Sequence, residues 1–404
     1  MDLRSNHSYS IAQYGNVANY PALQQDTSVD IAVIGAGISG ALVAYALTPD
    51  HNVCIIDKRE VGKGSTAAST SLLQYELDRP LHELAAVVGK HNAIRSYKLC
   101  EQAIFELKDI SNNVAPGLEF NLQPSLQFAT YKTHVERLQR EHRFRKENNF
   151  DVHWLSQEQL AQQYHLDAPA AMRSNKAGSV DAYMLTHKIL QHCSKHGLKV
   201  FEKTGVTNIE HHRDGMTLHT TTGYKVVAKK LIMACGYESL QYIRKSVAQL
   251  YTTYALASRP LEQRLLWQDR SLIWETSTPY MYARTTSDNR IIVGGLDDKF
   301  TDPELRESLL QRKANQLAQK FHRRFPHISI KPAICWGGVF ASTTDSLPYI
   351  GTLPGRPHTY FALGFGGNGI TFSQVAANIL RDAIDGRHNQ DKQLFSFNRH
   401  VHSS

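Results

Sequence analysis

The sequence lacks the hallmarks of several protein classes. Its 404 residues include five cysteines, Cys54, Cys100, Cys193, Cys235 and Cys335, an odd number with no C-x-x-C pair. That pattern argues against a disulfide framework or a zinc knuckle and fits a reducing, cytoplasmic setting. No apolar run approaches the ~18–20 residues of a membrane span. The opening MDLRSNHSYSIAQYGN has neither a continuous apolar core nor a small-residue cleavage site, so it does not read as a secretory signal. There is no G-x-S-x-G elbow, no Walker A loop and no internal repeat. No basic stripe with interleaved aromatics is present, so nucleic acid is not an expected partner.

What is present is an ordinary globular composition, 42% hydrophobic and 20% charged, with a formal net charge of +8. A basic field of that size favours anionic ligands in general. The densest charged stretch, Arg137, Arg140, Arg143, Arg145 and Lys146 among Glu136, Glu141 and Glu147, alternates in sign at helical spacing and reads as a solvated helix face. Residues 1–28 are polar and read as an irregular arm across the main body. Helices are expected over 81–112, 132–147, 183–196, 304–321 and 370–385. Short strands are expected over 199–202, 206–210, 216–222, 225–228, 230–234 and 359–363. A hairpin is expected around Ser287-Asp288-Asn289.

The sharpest pattern lies near the start. Val29–Ile34 (VDIAVI) is a short β-branched run typical of a buried strand. Gly35-Ala36-Gly37-Ile38-Ser39-Gly40 follows at once, then a helical stretch to Leu47. Val53–Asp57 (VCIID) reads as the next buried strand, with Asp57 17 positions after Gly40. Strand, G-x-G-x-x-G, helix, strand and terminal acid together form a dinucleotide-binding fingerprint. Gly35 permits the tight turn, Gly37 lets the backbone approach a pyrophosphate, and Gly40 lets helix and strand pack closely. The helix N-terminus offers N–H groups and a positive dipole end to phosphate. Asp57, with Lys58 beside it, is placed to meet the adenosine ribose.

Two further stretches favour a long cofactor. Gly64–Thr70 is small and hydroxyl-rich, with Ser65 and Thr66 suited to a second phosphate, and it runs on to Ser71 and Leu72. Near the other end, Gly364-Phe365-Gly366-Gly367-Asn368-Gly369 lies between a strand and a helix that opens with Ile370. That helix can bring its dipole to the N1–C2=O edge of a reduced flavin.

With these pieces the chain resembles the FAD-dependent D-amino-acid oxidase/glycine oxidase/sarcosine oxidase superfamily, in its bacterial FAD-dependent oxidoreductase branch. The resemblance runs over about residues 29–399. It rests on the fingerprint with Asp57, on Gly64–Leu73, and on Gly205-Val206 with Ile209. It rests also on Ala234-Cys235-Gly236, on Asp345–Gly351 (DSLPYIG), on the 364–369 loop and on Phe395–Arg399. The implied fold mixes α/β and α+β: a Rossmann-like FAD-binding domain (a GR2-type flavoprotein) interleaved with an antiparallel-sheet substrate domain. The expected boundaries are 1–28 for the arm, 29–85, 150–240 and 336–404 for the FAD-binding domain, and 86–149 and 241–335 for the substrate domain. The implied chemistry is oxidation of a C–N bond by hydride transfer to flavin N5.

The departures from the family pattern bear on the substrate. Members that oxidise glycine and D-amino acids clamp the substrate carboxylate with an Arg in a G-x-R-P motif; here that stretch is Gly338-Val339-Phe340-Ala341. Sarcosine-oxidising members use an Arg where this chain has Gln74 and a Lys where it has Thr371. Their oxygen-activating Lys falls near Ile292, which leans the reading toward a slow oxidase or a dehydrogenase. Their flavin-bonding Cys falls near Gly338; Cys335 is out of register, so non-covalent FAD is expected.

Polar candidates for the substrate pocket are Gln74, Tyr282, Arg284 and Thr371. Tyr280, Tyr282 and Arg284 alternate on one strand face, which is either an anion-binding wall or a solvated face. Trp336 and Phe340 are either pocket walls or core. His192 and His196 share a helix face without a third ligand, so no metal is expected. Two other readings stand beside amine oxidation: a hydroxy-acid or polyol dehydrogenase, which needs a base, and a flavin-binding assembly subunit. The expected partners are a small amine or amino-acid substrate and oxygen or another electron acceptor.

Overall fold

Strand Thr27–Ile34 is the axis of the nucleotide-binding half. In the computed structural model, which describes residues 1–243, 247–267, 269–363 and 366–399, it lies between Lys225–Met233 and Val53–Ile56, parallel to both. Thr359–Leu363 and Lys199–Phe201 extend this parallel core on either side. Tyr349–Thr352 adds an antiparallel edge, and the hairpin Val206–His212 and Gly215–Thr220 pairs with Lys225–Met233, completing an eight-stranded sheet. The central strands are buried on both faces, which is why they read as unbroken apolar runs rather than alternating ones. Helices Ile38–Leu47, Ala182–Lys195, Lys90–Val114 and Gly369–Ile384 share one core with them. At the chain's end Arg399 pairs with Asp345 at 2.6 Å, fixing the tail against the 345–351 segment.

The second sheet has ten strands. Its order is Arg4–Ser5, Pro332–Thr343, Ala248–Ser258, Ile291–Asp298, Met281–Thr285, Leu272–Glu275, Asn121–Phe128, Ala170–Ser179 and Leu72–Leu73, with Val152–Ser156 also pairing Ala170–Ser179. Its pairs are antiparallel except Leu272–Glu275 with Asn121–Phe128. Helix Pro303–Arg324 covers one face through Leu310, Ala314, Leu317 and Phe321. Among the described residues no helix is long and apolar enough to cross a membrane.

Several sequence expectations need correction. The arm is not irregular: it contributes strand Arg4–Ser5 and helix Tyr9–Tyr14, whose N-terminus Ser8 caps. The helix expected over 81–112 breaks at Gly89 (φ +85°) into Leu81–Val88 and Lys90–Val114. The strands expected over 225–228 and 230–234 are one continuous strand. Segments 150–179 and 336–343, assigned to the cofactor domain, supply strands to the larger sheet. The charged helix, observed as Val135–Glu147, is not solvated throughout, because Glu141 and Arg145 are buried. They pair at 2.6 Å, and Arg145 also lies 3.5 Å from buried Glu76 and against the Tyr97 ring. Glu141 accepts from the N–H groups of Leu81 and His82 (2.8 and 3.0 Å), placing a carboxylate at the N-terminus of the Leu81–Val88 helix. Burial alone would raise the Glu141 carboxyl, but Arg145, His82 and these N–H groups hold it at about 2.

Candidate functional site

The fingerprint turn is built as its residues require. Gly35 has φ +110°, and a Cβ there would strike the Ala234 carbonyl; a Cβ on Gly40 would strike the Gly35 carbonyl. Asp57 accepts from the Ala36 N–H (2.7 Å) and the Arg59 N–H (2.8 Å), so its carboxylate ties the turn to the end of the second strand. Burial raises its carboxyl despite these bonds. Thr66 Oγ1 accepts from the Ile38 N–H at 3.0 Å. The hydroxyls of Ser39 and Ser373 meet at 2.7 Å, joining the helix after the first glycine turn to the helix after the last one.

One cavity of about 650 Å³ opens in front of these residues. Gly35, Gly37, Ile38 and Ser39 line it, followed by Asp57 and Lys58, then Ser65, Thr66, Ser71 and Leu72. Val206, Ala234 and Gly236 form a further wall, and Gly366, Gly367, Asn368, Gly369 and Ile370 close the other end. Ala36 and Gly40 stand behind this surface and act through the turn instead. Gly364 and Phe365 lie outside the described residues.

The lining suits FAD. The Ser65 hydroxyl is buried without a partner, and Gly37 at the N-terminus of the helix starting at Ile38 lines the cavity with bare backbone, its own Cβ position being taken up by Thr66. At the Asp57 end, Lys58 and Arg59 converge on Glu238 (2.7 and 2.9 Å). Burial would raise Glu238, but these cations hold it at about 2. Sequence reading missed Glu238, which sits two residues after the 234–236 motif.

The far end carries the polar groups. Gln74 lines the cavity while its amide donates to Ser125 Oγ (3.0 Å). Tyr280 and Tyr282 line it too, and burial pushes the Tyr282 hydroxyl up to about 12, so it stays protonated. Arg284 does not reach this cavity. Thr70 contacts both Tyr282 and Arg284, and the guanidinium donates to the carbonyls of Thr70 (2.5 Å) and Thr285 (3.1 Å), lining a separate hollow with Tyr9 and Asp181. Thr371 is also off the cavity. It is turned into the protein and donates to the Asn368 carbonyl at 2.9 Å. Phe340 lines the cavity, whereas Trp336 is buried core, with its indole N–H on the Ala68 carbonyl (2.8 Å). Cys335 lies off the cavity as well. His192 and His196 stack with ring centres 4.6 Å apart, and among the described residues no group of three metal-ligating side chains is gathered.

Two further acids, at this end of the cavity, were not anticipated either. Asp78 accepts from Tyr280 OH and from the Gly367 N–H, both at 3.2 Å. Burial raises its carboxyl against these bonds. Asp297, on the strand facing Tyr282, is pushed up to about 6, chiefly by burial and also by Asp78 and Asp298, with Thr253 and Lys313 opposing. Asp78 lies just past the Gln74–Glu76 stretch singled out in the sequence. Asp297 carries no sequence signal of its own.

Residues 30–383 match the family described as FAD dependent oxidoreductase (DAO). Glycine oxidase of Geobacillus kaustophilus (strain HTA426) is 26% identical over 404 residues, covering 92% of this chain and 97% of that one. Gamma-glutamylputrescine oxidoreductase of Escherichia coli (strain K12) is 22% identical over 400 residues, covering 94% of this chain and 89% of that one. The crystal structure of glycine oxidase from Geobacillus kaustophilus superposes with a TM-score of 0.79 at 20% identity, over 93% of this chain and 100% of that one. The cradle of glycine turns, the acid that ends the second strand and the match over most of the sequence lead to one conclusion: the chain belongs to the DAO family of FAD-dependent oxidoreductases.

Proposed function

We propose that this oxidoreductase oxidises a C–N bond of an amine or amino acid. The observation that carries the reading is the single cavity that runs from the fingerprint to a stretch walled by Gly366–Ile370 and the aromatic residues Trp274, Tyr280 and Tyr282. A substrate there lies beside the cofactor. The relatives named above support an amine or amino-acid donor. When bound, FAD supplies the hydride acceptor. The chain's own part is to orient the donor carbon. Tyr280 and Tyr282 offer hydroxyls beside the donor, and a substrate ammonium must give up a proton to water before a hydride leaves its carbon.

FAD is held without a covalent bond in this reading. Cys335 is off the cavity, and the Cys235 thiol is pushed up to about 11, mainly by burial, and sits 3.1 Å from Ser239 Oγ. Ile292, where the resemblance places the oxygen-activating Lys, is packed among apolar neighbours, which supports a slow oxidase or a dehydrogenase that passes its electrons to another acceptor. The free thiols support a cytoplasmic location.

Anaerobic mixing of FAD-loaded protein with amines, D- and L-amino acids, N-methyl amino acids and hydroxy acids tests the reading. Flavin bleaching by an amine class is expected, with slow recovery in air. Bleaching by hydroxy acids alone would replace it with C–O oxidation. No bleaching by any compound would favour a binding subunit.

A further inference from the structure

The substrate end of the cavity is rich in acceptors and poor in cations. Asp78 and Asp297 both line it, alongside Trp274, Tyr280 and Tyr282. Among the described residues no Lys, Arg or His lies within ion-pair distance of either carboxylate: Lys313, the nearby cation, pairs with Asp298 at 2.7 Å instead. The basic side chains that do line the cavity, Lys58 and Arg59, are at the opposite end and committed to Glu238. Arg284 is held on the Thr70 carbonyl, off the cavity.

Two neighbouring carboxylates that open on the cavity without an ion-pair partner among the described residues, with Lys313 acting on Asp297 only at a distance, become costly to keep charged once cofactor and ligand displace water, because desolvation and mutual repulsion both oppose ionisation. Their contacts within the chain come from neutral donors: the Tyr280 hydroxyl and the Gly367 N–H on Asp78, and Thr253 on Asp297. A carboxylate-bearing substrate would add a third like charge with no guanidinium to receive it. A ligand cation removes the conflict. The rings add to the same preference: Tyr280 has its centre 6.3 Å from Trp274 and 5.8 Å from Tyr282, forming an aromatic wall that can face a cation.

We infer that the substrate is an amine carrying a second cationic group, a di- or polyamine or an equivalent ammonium-bearing amine, whose remote charge is held by Asp78 and Asp297. This rests on the C–N reading above and narrows it.

The experiment compares 1,4-diaminobutane, butylamine and 4-aminobutanoic acid, matched in length, by anaerobic flavin reduction and by thermal shift of the FAD-loaded protein. The diamine is expected to surpass both others in kcat/KM by roughly tenfold or more and to give the largest rise in Tm. In Asp297→Asn and Asp78→Asn, checked for retained FAD content and circular dichroism, the ratio of diamine to butylamine kcat/KM is expected to fall by roughly tenfold. Equal use of diamine and monoamine, or preference for the amino acid, would overturn the inference and leave C–N oxidation intact. Bleaching by none of the three, nor by any other amine, would overturn both. If the variants fail to load FAD, the three-ligand comparison on the wild-type protein still decides.

Discussion

Asp57 shows how much one side chain can hold. It anchors two backbone N–H groups of the fingerprint turn (2.7 and 2.8 Å) and faces the cavity where the adenosine ribose is expected. Charge-assisted hydrogen bonds of this kind contribute about 1.5–3 kcal/mol each. Asp57→Asn keeps the shape and loses the charge, so the FAD retained through purification should fall by about tenfold or more. Fluorescence of flavin released on denaturation measures it. Asp297 sets a pH dependence. Its carboxyl, near 6 in the free enzyme, faces Asp78, Asp298, Thr253 and Lys313. Protonation removes the charge a cationic substrate needs, so kcat/KM for a diamine should fall as pH drops through about 6, while kcat at saturation breaks at lower pH, because the bound cation favours the carboxylate. Asp57 was legible in the sequence because its spacing from Gly40 is local. Asp78 and Asp297 were not, because they come from distant segments and only the assembled cavity gives them a shared role.

Elements differ in how openly they declare their surroundings. The helix Val135–Glu147 advertises alternating charge, yet its Glu141–Arg145 pair is sealed beneath Tyr75 and Tyr97. Periodicity shows that the two residues share a face; it does not show that the Leu81–Val88 helix lies over it. Removing the cation leaves Glu141 and Glu76 buried without their counter-charge. Arg145→Met should therefore cost about 3–5 kcal/mol in urea unfolding. With its carboxyl held at about 2 against an ordinary 4.5, Glu141 stabilises the fold fully above pH 4.5, and that contribution is lost as pH falls toward 2. The long strands Ala248–Ser258 and Pro332–Thr343 were missed for a related reason. Runs such as AQLYTTYALAS and GGVFAST mix small, polar and aromatic residues, so neither a period of two nor a buried run stands out. The strands around the fingerprint, buried on both faces, were readable.

At the scale of the molecule, the two sheets are stitched by segments from all along the chain. The first residues take part: Arg4–Ser5 pairs with Pro332–Thr343, and the Arg306 guanidinium donates to Ser5 Oγ at 2.8 Å. Deleting residues 1–8 would uncover a long edge strand and strip a buried guanidinium of its acceptor. The truncated protein should self-associate and melt at lower temperature, as size-exclusion chromatography with light scattering and a thermal melt would show. The nucleotide-binding half was legible because its motif is short and sequential. The apportioning of 150–179 and 336–343 was not, because strand partners in the larger sheet are set by contacts far apart in sequence.

The hydroxyl contact between Ser39 and Ser373 spans nearly the whole chain. The surfaces that would grip the cofactor are drawn from Gly35 through Ile370, and the last of them rests on Thr359–Leu363, a strand of the same sheet. A chain still emerging from the ribosome therefore has the first glycine turn long before it has the second. Cofactor capture has to wait until synthesis is nearly finished, and a chain that stops before residue 359 would be left with half a grip.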